Sequence, residues 1–103
     1  MKVVVVGDRE TVESLASLGA VGIIVKDSVE MYEVLQEVAK REDVGLILLS
    51  EIFSQEIRDK ISNFRLKNPL PIILEIPYRP RFMTYINNVT RKMAMNPNEN
   101  SIF

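Results

Sequence analysis

Neither cysteine nor histidine occurs among the 103 residues of this chain. Without cysteine there is no disulfide, thiol nucleophile or thiolate metal site, and a reducing compartment is expected. Without histidine the commonest general base and the commonest metal ligand are both missing, so catalysis would fall to carboxylates, Lys, Ser/Thr or Tyr. No charge sign dominates either: 13 basic and 14 acidic residues leave a net charge of −1, with no overall pull towards nucleic acid or membrane. A long apolar run is also lacking. Lys2 is followed by four valines and then Gly7-Asp8, whereas a secretory signal needs roughly 7–15 apolar residues and a membrane helix about 20. A cytoplasmic location is expected.

What is present suffices for one compact domain and an appendage: 47% of the residues are hydrophobic and 26% charged. Val3–Val6 is β-branched and apolar at odd and even positions alike, the pattern of a strand covered on both faces. Asp8 is placed to cap a helix with Val12, Leu15, Ala16 and Gly19 on one face, ended by Gly19. Val21–Val25 is a second strand. Asp27 with Glu30 three residues on forms an acidic capping box before a helix striped by Met31, Val34, Leu35 and Val38. Val44–Leu49 is the third strand. Ser50-Glu51 opens one longer helix, with Phe53, Ile57, Ile61 and Phe64 at helical spacing, which Pro69 and Pro71 stop. Ile72–Ile76 is the fourth strand.

Strands alternating with helices predict parallel pairing with right-handed crossovers. The expected architecture is α/β: a three-layer, doubly wound, four-stranded parallel sheet of order 2-1-3-4, receiver- or Rossmann-like, plus a C-terminal helix. The division is a scaffold over 1–77 and a hinge with an amphipathic helix over 78–103. Handedness puts the first helix alone on one face, so strands three and four are bare there, and Ile73 or its neighbours would meet water unless something else covers them.

That cover is one reading of the last segment. Phe82, Ile86, Val89 and Met93 are spaced four, three and four apart, a narrow helical seam. Arg79, Arg81, Arg91 and Lys92 make the segment basic, with no acid between Glu75 and Glu99. The competing reading is a partner-binding helix, with Arg81, Phe82, Ile86, Val89, Arg91 and Met93 as its contacts and Pro77 and Pro80 as its hinge.

Open parallel sheets place their sites at the C-terminal edge of the strands. There Asp8 and Glu51 follow neighbouring strands and could hold magnesium, but capping explains Asp8, Asp27 and Ser50 without a metal. A phosphorylated receiver domain would have a pair of acids after the first strand, an Asp ending the third and a Lys ending the last. Here stand Asp8 alone, Ser50 and Glu75-Ile76-Pro77, and a fifth strand is missing. A dinucleotide fingerprint needs three glycines where only Gly7 occurs. No catalytic residue, metal or cofactor is therefore expected. Glu75 interrupts an apolar strand. It reads either as a partner contact or buried acid, or as the charge that keeps an edge strand from pairing, and the second is preferred.

Val5-Val6-Gly7-Asp8, Asp43–Glu51, Ile57-Arg58-Asp59 and Pro71-Ile72-Ile73-Leu74-Glu75-Ile76-Pro77 together resemble the F subunit of the archaeal/vacuolar-type (A-type and V-type) rotary ATPases, the last motif being the most specific. The tail departs from the pattern, with Tyr78-Arg79-Pro80-Arg81-Phe82 where the family carries a polar, acidic loop. The resemblance implies a non-catalytic rotor component of the central stalk. It implies binding to the coiled-coil D subunit of the ATPase, contact with the catalytic A/B hexamer through the C-terminal helix, and tuning of coupling and ATP hydrolysis. It also implies a membrane reached only through the complex. The alternative is a receiver-like or small-ligand regulatory domain without intact phosphorylation chemistry.

Overall fold

Four apolar runs lie side by side as a parallel sheet, β1 (Lys2–Gly7), β2 (Val21–Ile24), β3 (Val44–Ser50) and β4 (Ile72–Ile76), in the order β2-β1-β3-β4. The computed structural model describes residues 1–77 and 86–92. Between the strands run α1 (Arg9–Ala16), α2 (Ser28–Ala39), and α3 (Glu51–Ser54) followed by a 3-10 turn (Gln55–Ile57) and α4 (Arg58–Lys67). A last helix, α5, spans 86–92. The expected class, strand order and C-terminal helix are those observed.

The register sorts the side chains into two faces. Val4 pairs with Ile47 and Ile47 with Ile73; Val6 pairs with Leu49 and Leu49 with Glu75. Because successive residues alternate sides, these rows share one face, where they pack with Met31, Leu35 and Val38 of α2, Ile57 of the 3-10 turn and Ile61 of α4. Tyr32 and Phe64 close the outer side of that layer edge to face, with ring centroids 6.4 Å apart. The opposite face carries Val5, Leu48 and Leu74 in one row and Val3, Leu46 and Ile72 in another. Gly22, opposite Val5, lets α1 close in: a Cβ there would stand 2.6 Å from Val12 Cγ1.

Both acidic caps form as the sequence predicts. Asp8 Oδ2 accepts from the Thr11 N–H at 3.2 Å, and Asp27 Oδ1 from the Glu30 N–H at 2.8 Å. Glu30 completes its capping box one residue early, accepting from Lys26 N–H at 2.8 Å. Gly19, with φ +109°, makes the turn after α1 that side-chain-bearing residues rarely adopt.

Two expectations change, and one alternative is resolved: of Ile73 and its neighbours, the neighbours are the bare ones. Ile73 is only 4% exposed because it faces α2 and α4, while its neighbours Ile72 and Leu74 are 53% and 50% exposed on the other face. The single long helix from Glu51 is broken at the 3-10 turn. Ile57 takes a non-helical φ of −127° where α4 begins, beside tethers from Ser54 to β4 and from Ser28 of α2 to Glu56. Ser50 occupies the cap position of α3 but makes no side-chain cap bond. Its hydroxyl accepts instead from the Asp8 N–H at 3.2 Å, joining the ends of β1 and β3.

That last contact depends on Gly7, since an added Cβ would collide with the Ser50 side chain, which is fully buried. Gly7→Ala is expected to cost about 1–3 kcal/mol by overpacking, read as a lower midpoint in urea unfolding with an unchanged slope.

Candidate functional site

The C-terminal edge of the sheet gathers the acids singled out above, and each has a structural occupation. Asp8 caps α1 through Oδ2; its Oδ1 is buried with no hydrogen-bond partner among the described residues. Asp27 caps α2. Glu75 points to the helix-covered side of β4, accepts from Ser54 Oγ at 2.6 Å and lies 3.5 Å from Arg58 Nε. Arg58 also reaches Glu51 Oε2 at 3.5 Å, so one guanidinium spans both carboxylates. Among the described residues no group of three acidic side chains converges as a metal site would require. β4 is an edge strand, as expected, and Glu75 is the inward-pointing charge of such an edge.

The opposite face carries the contact between the first and last helices. Here α5 lies beside α1. Ser14 Oγ donates to Asn87 Oδ1 at 3.1 Å, and the Ser17 and Thr90 hydroxyls are 3.3 Å apart. Both contacts advance by three residues on each helix, so the two helices run in the same direction. Ile86 is 8% exposed and Val89 half-buried, and at about 100° per residue they lie on one side of α5 while Asn87 and Thr90 turn to α1. A hollow of about 500 Å³ opens beside this contact, lined by Arg9, Glu10, Glu13, Ser14, Ser17 and Asn87.

The residues named from the sequence as partner contacts therefore divide. Ile86 and Val89 share one side of α5, Ile86 buried and Val89 half-buried, and Arg91 is exposed. Arg81, Phe82, Met93 and the hinge residue Pro80 lie outside the described residues; Pro77 directly follows β4. Sequence reasoning missed Ser14, Ser17, Asn87 and Thr90. Their one signal is that small polar residues recur at a spacing of three on both segments, which apolar periodicity ignores.

Because Ser14 is buried against α5, Ser14→Arg is expected to displace that helix. Hydrogen exchange at 86–92 should then lose protection while the β1 and β3 amides keep theirs; loss of protection throughout would make α5 part of the folding core. Ser14→Ala should cost only about 1 kcal/mol, the net worth of a single neutral hydrogen bond.

Residues 3–93 match the family model described as ATP synthase (F/14-kDa) subunit. The chain is 37% identical over 78 residues to the F subunit of the A-type ATP synthase of Methanocaldococcus jannaschii, covering 75% of this chain and 74% of that protein. It is 35% identical over 78 residues to the F subunit of the A-type ATP synthase of Methanococcus aeolicus, with the same coverage. It is 38% identical over 82 residues to that of Pyrococcus abyssi, covering 75% of each. With a family match across nearly the whole chain and the four-stranded parallel fold in place, the chain belongs to the F-subunit family of V/A-type ATP synthases.

Proposed function

We propose that the chain is a non-catalytic subunit of the central stalk of an A-type or V-type rotary ATPase, seated on the coiled-coil D subunit and turning with it. In this reading it tunes coupling and ATP hydrolysis without chemistry of its own, and works in the cytoplasm at the soluble sector of the complex. Its C-terminal helix meets the catalytic A/B hexamer, with Pro77 and Pro80 as hinge between a scaffold of 1–77 and a moving segment of 78–103. Arg81, Phe82, Ile86, Val89, Arg91 and Met93 supply the contacts.

The observation that carries the reading is family membership across residues 3–93. The geometry is compatible with it. At the sheet edge Asp8 and Asp27 cap helices and Glu75 is held by Ser54 and Arg58. The α5 helix meets α1 through short polar side chains, and its apolar share of the packing is the buried Ile86 and the half-buried Val89. None of the described helices is long and apolar enough to cross a membrane, and in this reading the chain meets one only through other subunits.

Co-expression with the D, A and B subunits is expected to yield a complex that retains this chain through affinity purification and size exclusion; its loss at the first step would sink the proposal. Ile86→Asp combined with Val89→Asp should undock α5 and change the ATP hydrolysis rate of the assembled sector. Circular dichroism should show the α/β scaffold still folded in that variant.

A further inference from the structure

The described structure leaves an apolar strip half exposed at one end of the sheet. Ile72 and Leu74 occupy the face of β4 turned away from α2 and α4, each about half exposed. Beside them on β3 are Leu46 and Leu48. On the α1 side the strip is bounded by α5. With Asn87 and Thr90 facing α1, helical geometry turns Lys92 to the flank away from α1, and Lys92 is exposed.

Two features decide what such a strip receives. The first is that β4 is closed to another strand. Proline stands on both sides of it, at Pro71 and Pro77, and offers no N–H. The Ile73 carbonyl is also taken by Arg65 Nη2 at 2.8 Å. Strand addition needs those edge groups, so a partner must lie on the face rather than extend the sheet.

The second feature is charge. Residues 1–59 carry twelve acidic and six basic side chains; residues 60–103 carry two acidic and seven basic. The near-neutral total hides an uneven distribution along the sequence, and β4, most of α4 and α5 belong to its basic part. Of the two acids in that part, Glu75 is turned inward and held by Ser54 and Arg58. An apolar floor with Lys92 on one wall, and with the exposed Lys67 ending the helix that leads into β4, fits an amphipathic helix whose apolar stripe is flanked by acidic residues.

We infer that the Ile72–Leu74 face of β4 is the docking surface for an amphipathic partner helix with acidic flanks. The inference rests on the proposed role as a stalk subunit, where it assigns a surface and a chemistry to the partner contact.

The test compares the wild type with Ile72→Ser/Leu74→Ser and Lys67→Glu/Lys92→Glu, each co-expressed with the other subunits of the soluble sector, with circular dichroism confirming that both variants fold. Retention of the wild type together with roughly tenfold weaker retention of both variants is the expected result, and the defect of the charge variant should shrink at high ionic strength. If wild type and variants co-purify alike, the docking surface is wrong and the subunit role stands. If the wild type itself fails to co-purify, the subunit role falls. The surface is then judged by titration with a synthetic helical peptide about 20 residues long, bearing leucines along one stripe and glutamates beside it. Binding with amide shifts at 72–74, lost when the glutamates become lysines, supports the inference; equal binding of both peptides or shifts elsewhere overturns it. A concentration-dependent dimer abolished by Ile72→Ser/Leu74→Ser would identify a second copy as the occupant. A large gain in peptide affinity on deleting 93–103 would identify the chain's own end. Either result overturns the inference.

Discussion

A parallel sheet must be covered on both faces, and here the connections supply that cover unequally. Strand order β2-β1-β3-β4 with right-handed crossovers sends α2 and the α3–α4 segment to one side and α1 alone to the other. On the first side, the rows Val4-Ile47-Ile73 and Val6-Leu49-Glu75 lie beneath helices from β1 out to β4. On the second, α1 closes over β1 and β2 through Gly22, and β3 and β4 depend on whatever follows Pro77. Buried apolar surface contributes about 25 cal/mol per Å², so a face left wet is a continuing incentive for a helix to settle there. The position of α5 beside α1 answers it in part, and the exposure of Ile72 and Leu74 shows where it stops.

The two helix layers are also held together by different forces. On the α2 side the contact is apolar and continuous, from Met31 and Leu35 to Ile61. Between α1 and α5 the described contacts are hydroxyl to amide and hydroxyl to hydroxyl. Neutral hydrogen bonds that exchange with water contribute about 1 kcal/mol each, so α5 is held in place chiefly by the burial of Ile86 and the half-burial of Val89. The small side chains of the seam also let two helices lie side by side with little side-chain bulk between them.

How much of this was legible in the sequence depends on whether the feature repeats. Strands such as Val3–Val6 and helices striped by Met31, Leu35 and Val38 announce themselves by period, and acids before a helix start announce the caps at Asp8 and Asp27. The topology followed because handedness leaves few alternatives. Singular contacts between distant, unpatterned residues were not legible. Ser14 meets Asn87 across 73 positions, and Ser50 serves Asp8 across 42 rather than its own helix. Apolar spacing at Phe53, Ile57, Ile61 and Phe64 implied one helix because a straight helix and a helix broken by a 3-10 turn both keep those residues inward. What separates them is polar, the tethers at Ser54 and Glu56.

Glu75 shows how one such polar residue organises its surroundings. Its strand would be wholly apolar without it, and the sequence left open whether the acid served a partner or guarded an edge. The geometry assigns it inward. Ser54 and Arg58 both turn to its carboxylate, and Arg58 also reaches Glu51. These bonds fasten the break between α3 and α4 to the open edge of the sheet, from where Arg65, two turns on, reaches the Ile73 carbonyl. An acid inside the edge and an arginine on its backbone thus close β4 to strand pairing. They do so without covering Ile72 and Leu74, so the strand sealed along its edge still offers its face.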